Sequence, residues 1–404
     1  MSGEPADLRG PLEAFAADVE CNLAEARLFR APGRINLMGD HTDYNGGLVL
    51  PAAIDYETRI LCVPSERVKL ESLDVEGTVD LSAAGDEGCV EGWGRYIAGI
   101  LKVLDERGRK PQGLTGVIDS SVPVGRGLSS SAALEVAFAT AACALAGFEL
   151  EPLELAEVCR EAEERVAGVQ CGIMDQAVAI LAEEGTATLL DCATLKTSQI
   201  PIPPWLSVIA IDSGVERSLA GSSYNRRRRE CEEALSAVQS YLPEIRTLSE
   251  IGEDRLDEAI TYLDELHAHR LRHVITENAR VLELALVLSR GAPEPDAATE
   301  EELRSIYAAS QASLVDEYEA GHPNTNKLVE IAMEMEGCLG ARQTGAGWGG
   351  SIVVIARSDA ARDVVPSIAE RYLNATGKTA SALICAPAGG ASEITGIMNQ
   401  PKPT

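Results

Sequence analysis

One stretch decides the fold of this 404-residue chain: Pro123-Val124-Gly125-Arg126-Gly127-Leu128-Ser129-Ser130-Ser131-Ala132-Ala133. Residues 114–119 before it alternate like a strand, and residues 134–146 after it form an apolar run that predicts a buried helix. A glycine-rich loop leading into a helix presents free backbone N–H groups and the positive end of the helix dipole, so it favours phosphate. The serine hydroxyls could cap the helix, contact phosphate or bind a metal ion. The Walker pattern is absent, and a serine-capped flexible turn is the alternative interpretation.

Composition limits the classes of protein to which the chain can belong. Hydrophobic residues make up 45% and charged residues 24%, as in globular proteins, and the length predicts two or three domains. A formal net charge of -28 argues against nucleic acid and anionic membranes as partners. Ten cysteines without a CxxC pair indicate a reducing cytoplasm, and no apolar run approaches the ~20 residues of a membrane span.

A second polar segment, residues 34–47, lies between apolar strands. It contains Arg34, Asp40, His41 and Asp43 together with three glycines. Sugar hydroxyls need convergent donors and acceptors, so this density favours a site for a polyhydroxylated ligand. A solvated Asn-Gly-Gly turn is the alternative.

Two acidic features follow the glycine-rich segment 123–133, which is called the phosphate loop below. Residues 153–167, which follow Pro152, are predicted to form a helix. Most of the glutamates in this helix are expected to lie on its solvent-exposed face. In residues 171–176 the single acid Asp175 sits in an otherwise apolar turn, where a partly buried carboxylate needs a partner or a function. Capping of a helix at 177–181 is the structural alternative for Asp175.

Several local predictions concern other parts of the chain. Residues 1–26 are predicted as an amphipathic helix with Leu12, Phe15, Val19 and Leu23 on one face, and residues 26–35 as a strand that turns at 31–33. The end of the chain is predicted to be poor in strands. The arginines at 226–229 are expected to pair with following glutamates, and His269 with His273 lacks a third metal ligand.

Taken together, three ordered motifs at 34–43, 123–133 and 344–350 resemble those of the GHMP kinase superfamily. Two segments resemble the galactokinase family within it: Cys171-Gly172-Ile173-Met174-Asp175-Gln176, and Ser218-Leu219-Ala220 with Tyr224. Residues 272–277 are similar to a galactokinase helix, which favours a structural role for His273.

The resemblance implies an α+β fold with two GHMP kinase domains, mixed β-sheets with packed helices, and an active site in the interdomain cleft. Residues 1–204 would hold the polar segment 34–47, here called the sugar loop, together with the phosphate loop at 123–133 and Asp175. Residues 205–404 would hold Tyr224 and the third glycine-rich motif. The boundary follows the proline-rich segment 201–204.

The implied reaction is phosphoryl transfer from ATP to the anomeric hydroxyl of galactose, with Asp175 and Arg34 as the catalytic pair. The resemblance assigns Ser131 and Glu163 to Mg²⁺. The implied sugar-binding residues are Arg34, Asp40, His41, Asp43, Gly172, Asp175 and Tyr224. The implied ATP-binding residues are Gly125, Arg126, Gly127, Leu128, Ser129, Ser130, Ser131 and Ala132. The expected partners are a small sugar and ATP, for a cytoplasmic monomer or weak homo-oligomer.

Two departures from the family pattern leave alternatives open. Asp40 stands where most galactokinases carry Glu, at the residue that contacts the C6 hydroxyl, and Trp348 replaces a more common Phe. The alternatives are a kinase for N-acetylgalactosamine, galactosamine, arabinose or a uronic acid. A non-catalytic sugar and ATP sensor is the other, and the intact Ser131-Ala132-Ala133 and Asp175 disfavour it.

Overall fold

A computed structural model of the chain describes residues 7–17, 22–85, 90–168, 171–215 and 220–394. Its helices are α1 (Arg9–Phe15), α2 (Gly94–Glu106), α3 (Ser130–Ala146), α4 (Pro152–Ala167), α5 (Met174–Leu181), α6 (Ala220–Gln239), α7 (Glu253–Ile260), α8 (Glu265–Ser289), α9 (Ala297–Ala312), α10 (Pro323–Met333) and α11 (Ala361–Thr376). Its strands are β1 (Arg27–Asn36), β2 (Leu48–Val49), β3 (Pro51–Ser65), β4 (Arg67–Ser72), β5 (Thr78–Ser82), β6 (Gly113–Ser120), β7 (Thr186–Asp191), β8 (Thr197–Pro201), β9 (Leu206–Asp212), β10 (Cys338–Gln343), β11 (Ser351–Arg357), β12 (Ser381–Cys385) and β13 (Ser392–Ile394).

The strands form three sheets. The largest has the order β13-β1-β3-β6-β4-β5, the second β10-β11-β9-β12, and the smallest β2-β7-β8. In the largest sheet, β4 pairs in parallel with β6 and the other neighbours are antiparallel. The chain is therefore an α+β protein with mixed sheets, as the sequence predicts.

Helix α3 is the central helix of the first half. It is apolar almost all round, which is the pattern of a buried helix. Val136, Phe138 and Ala142 pack in the same core as Ile60 of β3 and Ile100 of α2. The helix is thereby fixed against the large sheet, and the Leu128 carbonyl just before the helix accepts from the Arg34 N–H of β1 at 3.1 Å.

The two halves of the chain share a hydrophobic core. Leu37 and Leu128 from the first half pack in one cluster with Leu284, Tyr307 and Val353 from the second. Strand β13 also returns from the end of the chain and pairs with β1, with Leu28 opposite Ile394. The predicted division at residue 204 stays a prediction, and the two halves meet through an apolar interface.

The structure corrects the prediction for the N-terminal region. Helix α1 covers Arg9–Phe15, a short 3₁₀ turn covers Leu23–Glu25, and Val19 lies outside the described residues. Leu8 and Leu12 pack against β1 and β3, so tertiary contact supports only a short helix.

Two strand predictions are also wrong. Strand β1 does not turn at 31–33 but continues to Asn36 through a register shift between Pro32 and Arg34, because β3 supplies pairing partners on both sides of the shift. The end of the chain contains β12 and β13, which are edge strands too short to give a clear alternation in the sequence.

The predicted pairing of the arginines at 226–229 with following glutamates is confirmed. Arg226 and Arg227 pair with Glu230, and Arg228 pairs with Glu232. The eight cysteines in the described ranges are free thiols. Among the helices that the structure describes, none is long and apolar enough to cross a membrane.

Candidate active site

A cavity of about 390 Å³ lies where β1, α3, α5 and the β10–β11 loop meet. It is lined by Arg34, Asp40, His41, Asp43, Gly125, Gly127, Ser129, Ser130, Ser131, Glu163, Cys171, Gly172, Met174, Asp175, Gln176, Tyr224, Gly345 and Ala346. The motifs that the sequence singled out, from residue 34 to residue 346, thus converge on one cleft. Ser218 and Leu219 lie outside the described residues.

A bidentate ion pair joins Arg34 on β1 to Asp175 on α5. Arg34 donates from Nε to Oδ1 at 2.8 Å and from Nη2 to Oδ2 at 2.7 Å, and its Nη1 donates to the Gly127 carbonyl at 2.7 Å. The hydroxyl of Ser129 also donates to Asp175. Helix α5 begins at Met174, so the alternative that Asp175 caps a helix at 177 is wrong. The side chain of Asp175 stays 29% exposed, toward the cavity.

The phosphate loop has a backbone that leaves the start of α3 uncapped by side chains. Gly125 and Gly127 have φ of 76° and 78°, and Ser129 precedes the helix at φ 58°. The Ser129 hydroxyl bonds to Asp175 and makes no capping hydrogen bond, so the serine-cap interpretation is wrong for Ser129. Free N–H groups at the first turn of α3 therefore remain for an anion.

The other predicted ATP-binding residues have different environments. Ser130 and Ser131 line the cavity, while Leu128 and Ala132 are buried. Arg126 extends to the second half of the chain, where its Nε lies 3.5 Å from Asp212 Oδ2 and its guanidinium donates to Ser381. The loop is thus tied to the second half of the chain.

Ser131 and Glu163 face each other at the start of α3. Ser131 donates to Glu163 Oε1 at 3.0 Å, and Gln176 donates to Glu163 Oε2 at 2.7 Å. Burial and the nearby Asp175 raise the pKa of Glu163. A hydroxyl and a carboxylate are hard oxygen donors, so this pair fits Mg²⁺, which keeps waters and substrate phosphates as its remaining ligands.

Glu135 lies behind this pair and was missed by sequence reasoning. It is fully buried on α3, and its Oε2 accepts from Gln176 at 3.1 Å. Burial, followed by the charge of Glu163, raises its pKa well above the usual range. The available signal was that Glu135 is the only charged residue in the apolar run 134–146.

Aromatic rings enclose His41 at the other side of the cavity. His41 has φ of 66°, its Nδ1 lies 2.9 Å from the Tyr44 hydroxyl, and its ring centroid lies 5.6 Å from that of Tyr224 and 4.6 Å from that of Tyr318. Burial lowers the pKa of His41 to about 3, and the neighbouring His273 adds to this. His41 is therefore a neutral donor or acceptor near neutral pH.

Asp43 is partly buried and lies against Gly172. A Cβ at position 172 would lie 1.9 Å from Asp43 Oδ2, so only glycine allows this approach. Burial and then the charge of Asp175 raise the pKa of Asp43 to about 7, although the Tyr44 backbone N–H opposes the rise.

Asp40 forms a buried ion pair with Arg342 of β10. Arg342 Nη2 lies 2.5 Å from Asp40 Oδ2, and Asp40 Oδ1 accepts from Asn36 Nδ2 at 2.9 Å and from the Gly345 backbone at 3.1 Å. Burial raises the pKa of Asp40, and Arg342 opposes the rise. Sequence reasoning missed Arg342, although it lies only two residues before the third glycine-rich motif at 344–350.

His273 of helix α8 has hydrogen-bond partners within the protein. His273 is buried, with Nδ1 2.8 Å from Ser313 Oγ and Nε2 3.1 Å from the Asp40 carbonyl. Within the ranges that the structure describes, no cluster of three His, Cys, Asp or Glu could hold a metal ion. The structural interpretation of His273 is confirmed.

Comparison with known proteins agrees with the predicted motifs. Three family models match: the galactokinase galactose-binding signature at residues 13–64, the GHMP kinases N terminal domain at 95–183, and the GHMP kinases C terminal model at 297–374. A galactokinase of Roseiflexus sp. (strain RS-1) is 39% identical over 369 residues, covering 91% of this chain and 93% of the relative.

Solved structures extend the likeness to the fold. The Lactococcus lactis galactokinase complexed with galactose has a TM-score of 0.88 and 30% identity, covering 95% of this chain and 99% of that one. The Methanococcus jannaschii mevalonate kinase has a TM-score of 0.61 at 14% identity, covering 90% and 98%, which concerns the fold alone.

Proposed function

The chain belongs to the galactokinase family of the GHMP kinase superfamily, and we propose that Arg34 and Asp175 are the catalytic pair of its reaction. It has the GHMP kinase fold, and its activity is that of galactokinase, in which ATP and galactose give ADP and galactose 1-phosphate. The observation that carries the assignment of the pair is the bidentate Arg34–Asp175 contact beside the phosphate loop.

Asp175 accepts the proton of the anomeric hydroxyl as the phosphoryl group is transferred. Its carboxylate is held by Arg34 and Ser129 and remains exposed to the cavity, so its orientation is fixed before the sugar binds. Arg34 stabilises the carboxylate charge and, close to the loop, the charge on the transferring group. Loose phosphoryl transfer needs little activation of the nucleophile, so positioning and charge stabilisation supply much of the rate.

The phosphates of ATP bind at the start of α3. The left-handed backbone at Gly125, Gly127 and Ser129 turns the loop around the helix N-terminus, where free N–H groups offset the repulsion expected from a chain of net charge -28. The buried side chains of Leu128 and Ala132 hold this loop against the protein interior, and the ion pair between Arg126 and Asp212 connects it to the second half of the chain.

Mg²⁺ would be held by Ser131 and Glu163, and when bound it offsets the charge of the β- and γ-phosphates. Gln176 orients Glu163 for this role through its hydrogen bond to Oε2. The donor set supports Mg²⁺ because both donors are hard oxygens at 3.0 Å from each other.

Glu163→Gln is expected to raise the Mg²⁺ concentration needed for half-maximal rate, because an amide oxygen carries no net charge to attract the cation. Binding of Mn²⁺ in the presence of a non-hydrolysable ATP analogue, followed by electron paramagnetic resonance, should weaken in parallel. The matched control is Glu154→Gln, a first-turn residue of the same helix α4 outside the cavity. Unchanged Mn²⁺ binding in Glu163→Gln would remove Glu163 from the metal site.

Galactose would bind between the sugar loop and α5. Asp40, His41, Asp43 and Tyr224 converge there, and Gly172 lets the backbone just before α5 approach Asp43 closely. Two carboxylates and a neutral imidazole offer acceptors and a donor to the hydroxyls of one sugar.

Sugar affinity is expected to depend on pH through Asp43. Because its pKa is about 7, the carboxyl group of Asp43 is protonated below this pH. It must lose that proton before it can act as an ionised acceptor for a sugar hydroxyl. The Kd for galactose should therefore rise as pH falls below about 7, with a limit of about tenfold per pH unit. Calorimetry across this range checks it, and Asp43→Asn should abolish the dependence; a pH-independent Kd in the unmodified protein would contradict it.

The raised pKa of Asp43 also determines how the stability of the sugar-free protein changes with pH. Because the folded-state pKa of Asp43 lies above its ordinary value of 3.8, the contribution of Asp43 to stability is present below about pH 4. It is lost as pH rises through about 7, where the buried carboxylate becomes charged.

The sugar panel decides between galactose and related substrates. The protein is mixed with ATP, Mg²⁺ and galactose, N-acetylgalactosamine, galactosamine, arabinose or galacturonic acid, and ADP is followed. The highest kcat/KM is expected for galactose. A higher value for another sugar would reassign the substrate, and sugar binding without turnover of any aldose would favour a sensor.

The location, the oligomeric state, the ligands and the division into domains also belong to this proposal. The protein acts in the cytoplasm as a monomer or weak homo-oligomer, with sugar and ATP as its ligands. Its first domain covers residues 1–204 and its second domain residues 205–404. The convergence of residues from both halves on one cleft supports an active site between domains.

A further inference from the structure

Asp40 is held in place by three donors, one four residues earlier in the chain and two about 300 residues later. Its Oδ2 faces Arg342 Nη2, and its Oδ1 accepts from Asn36 and from the Gly345 backbone. The side chain is 2% exposed yet lines the cavity, so its carboxylate is fixed at the wall and does not extend into the space. Aspartate is one methylene shorter than glutamate, so its position relative to a sugar depends strongly on these contacts.

Arg342 is in turn fully buried and fixed on its other sides. Its Nε donates to the Leu37 carbonyl at 3.0 Å, and its Nη1 lies 3.1 Å from Ser310 Oγ and 3.3 Å from Glu277 Oε1. Burial acts to raise the pKa of Glu277, but Arg280 and Arg342 outweigh it and lower the pKa to about 2. The guanidinium is therefore placed between two carboxylates, one that faces the cavity and one that does not.

The backbone around Asp40 is supported by the same network. Gly39 has φ of 96° and His41 φ of 66°, so residues on both sides of Asp40 adopt left-handed conformations. Glu277 accepts from the Gly39 N–H at 3.0 Å, and His273 Nε2 lies 3.1 Å from the Asp40 carbonyl. A non-glycine residue at positive φ persists only where its surroundings hold it.

We propose that Arg342, supported by Glu277, is a positioning residue that fixes Asp40 to accept a hydrogen bond from one particular sugar hydroxyl. Arg342 does not line the cavity, so it acts through Asp40. This inference rests on the proposed binding of galactose in the cleft. It makes the choice of sugar depend on an ion pair that joins β10 to the sugar loop.

The test combines a variant with substrates that each lack one hydroxyl. Arg342→Lys keeps the charge but cannot reproduce the guanidinium contacts with Asp40, Leu37 and Ser310. A hydrogen bond to a charged group contributes about 1.5–3 kcal/mol, so kcat/KM for galactose should fall about 10- to 100-fold, chiefly through KM. The KM for ATP should stay within about threefold, since the phosphate loop is separate.

The deoxy sugars distinguish positioning from a general structural effect. Kinetics are measured with the 2-, 3-, 4- and 6-deoxy derivatives of galactose. For the derivative that lacks the hydroxyl contacting Asp40, Arg342→Lys should cost little, because that contact is already missing. The other three derivatives should show the full loss. An equal loss for all four would overturn the inference.

Two more variants keep the test decisive if Arg342→Lys folds poorly. Ser310→Ala removes one acceptor of Arg342 Nη1 with little change in volume, and should give a smaller loss with the same deoxy-sugar pattern. Arg109→Lys alters an equally buried arginine, paired with Asp105 outside the cavity, and should leave the pattern unchanged. A Ser310→Ala variant with a uniform loss, or with none, would contradict the inference.

The outcomes also separate this inference from the proposed function. An unmodified protein that does not phosphorylate galactose would contradict both. Normal turnover of galactose by the unmodified protein, with a uniform loss in Arg342→Lys, would contradict only the role of Arg342.

Discussion

Asp175→Asn is expected to lower kcat about 10²- to 10⁴-fold while galactose binding stays measurable. Both oxygens of Asp175 accept hydrogen bonds from Arg34, and Oδ2 also accepts from Ser129. The asparagine amide has the same shape as the carboxylate and keeps one acceptor oxygen. Its NH₂ group, however, faces an N–H donor of Arg34, so one hydrogen bond is lost. The amide also cannot accept the proton of the sugar hydroxyl. The loss should therefore appear in kcat.

Single-turnover kinetics and calorimetry with galactose check this expectation separately. Asp105→Asn is the matched control, because Asp105 is also a partly exposed acid paired with a buried arginine, Arg109, but lies outside the cavity. It should change kcat little. Near-normal kcat in Asp175→Asn would show that proton acceptance by this residue contributes little and that transfer relies on positioning alone.

Arg34→Lys is expected to lower kcat about 10²- to 10³-fold, the usual cost of losing a charge-stabilising donor. The guanidinium makes three hydrogen bonds at once, two to Asp175 and one to the Gly127 carbonyl. A lysine ammonium is a compact charge on a flexible stem and cannot hold the acid and the phosphate loop in the same geometry. The loop and the catalytic carboxylate should both lose their fixed positions.

The KM for ATP should therefore rise together with the fall in kcat, which distinguishes this variant from Asp175→Asn. Arg30→Lys is the control on the same strand, since Arg30 pairs with Glu57 and bonds to Ser392 outside the cleft. If Arg34→Lys kept kcat and the KM for ATP within about threefold, a general positive charge would be enough at this position.

Sequence motifs predicted which residues line the cleft better than they predicted the secondary structure of the segments between the motifs. Asp40, Asp43 and Asp175 were identified as candidates, and the cavity contains all three. The predicted turn in β1 was wrong because pairing with β3 overrides local preference there. The predicted long N-terminal helix was wrong because tertiary contact supports only a short helix at Arg9–Phe15. The two residues that were missed beside the site, Glu135 and Arg342, are buried ionisable groups whose partners lie far away along the chain.

The amino-acid sequence alone specifies the local features of the structure, which depend only on residues close together in the chain. The glycines of the phosphate loop, the apolar run of α3 and the acid Asp175 just after Gly172 specify local backbone geometry and chemistry, because φ/ψ freedom and helix periodicity act over a few residues. Tertiary structure alone decided which charges meet. Asp40 and Arg342 are 302 residues apart, and their ion pair exists because packing of the shared core brings β10 against the sugar loop.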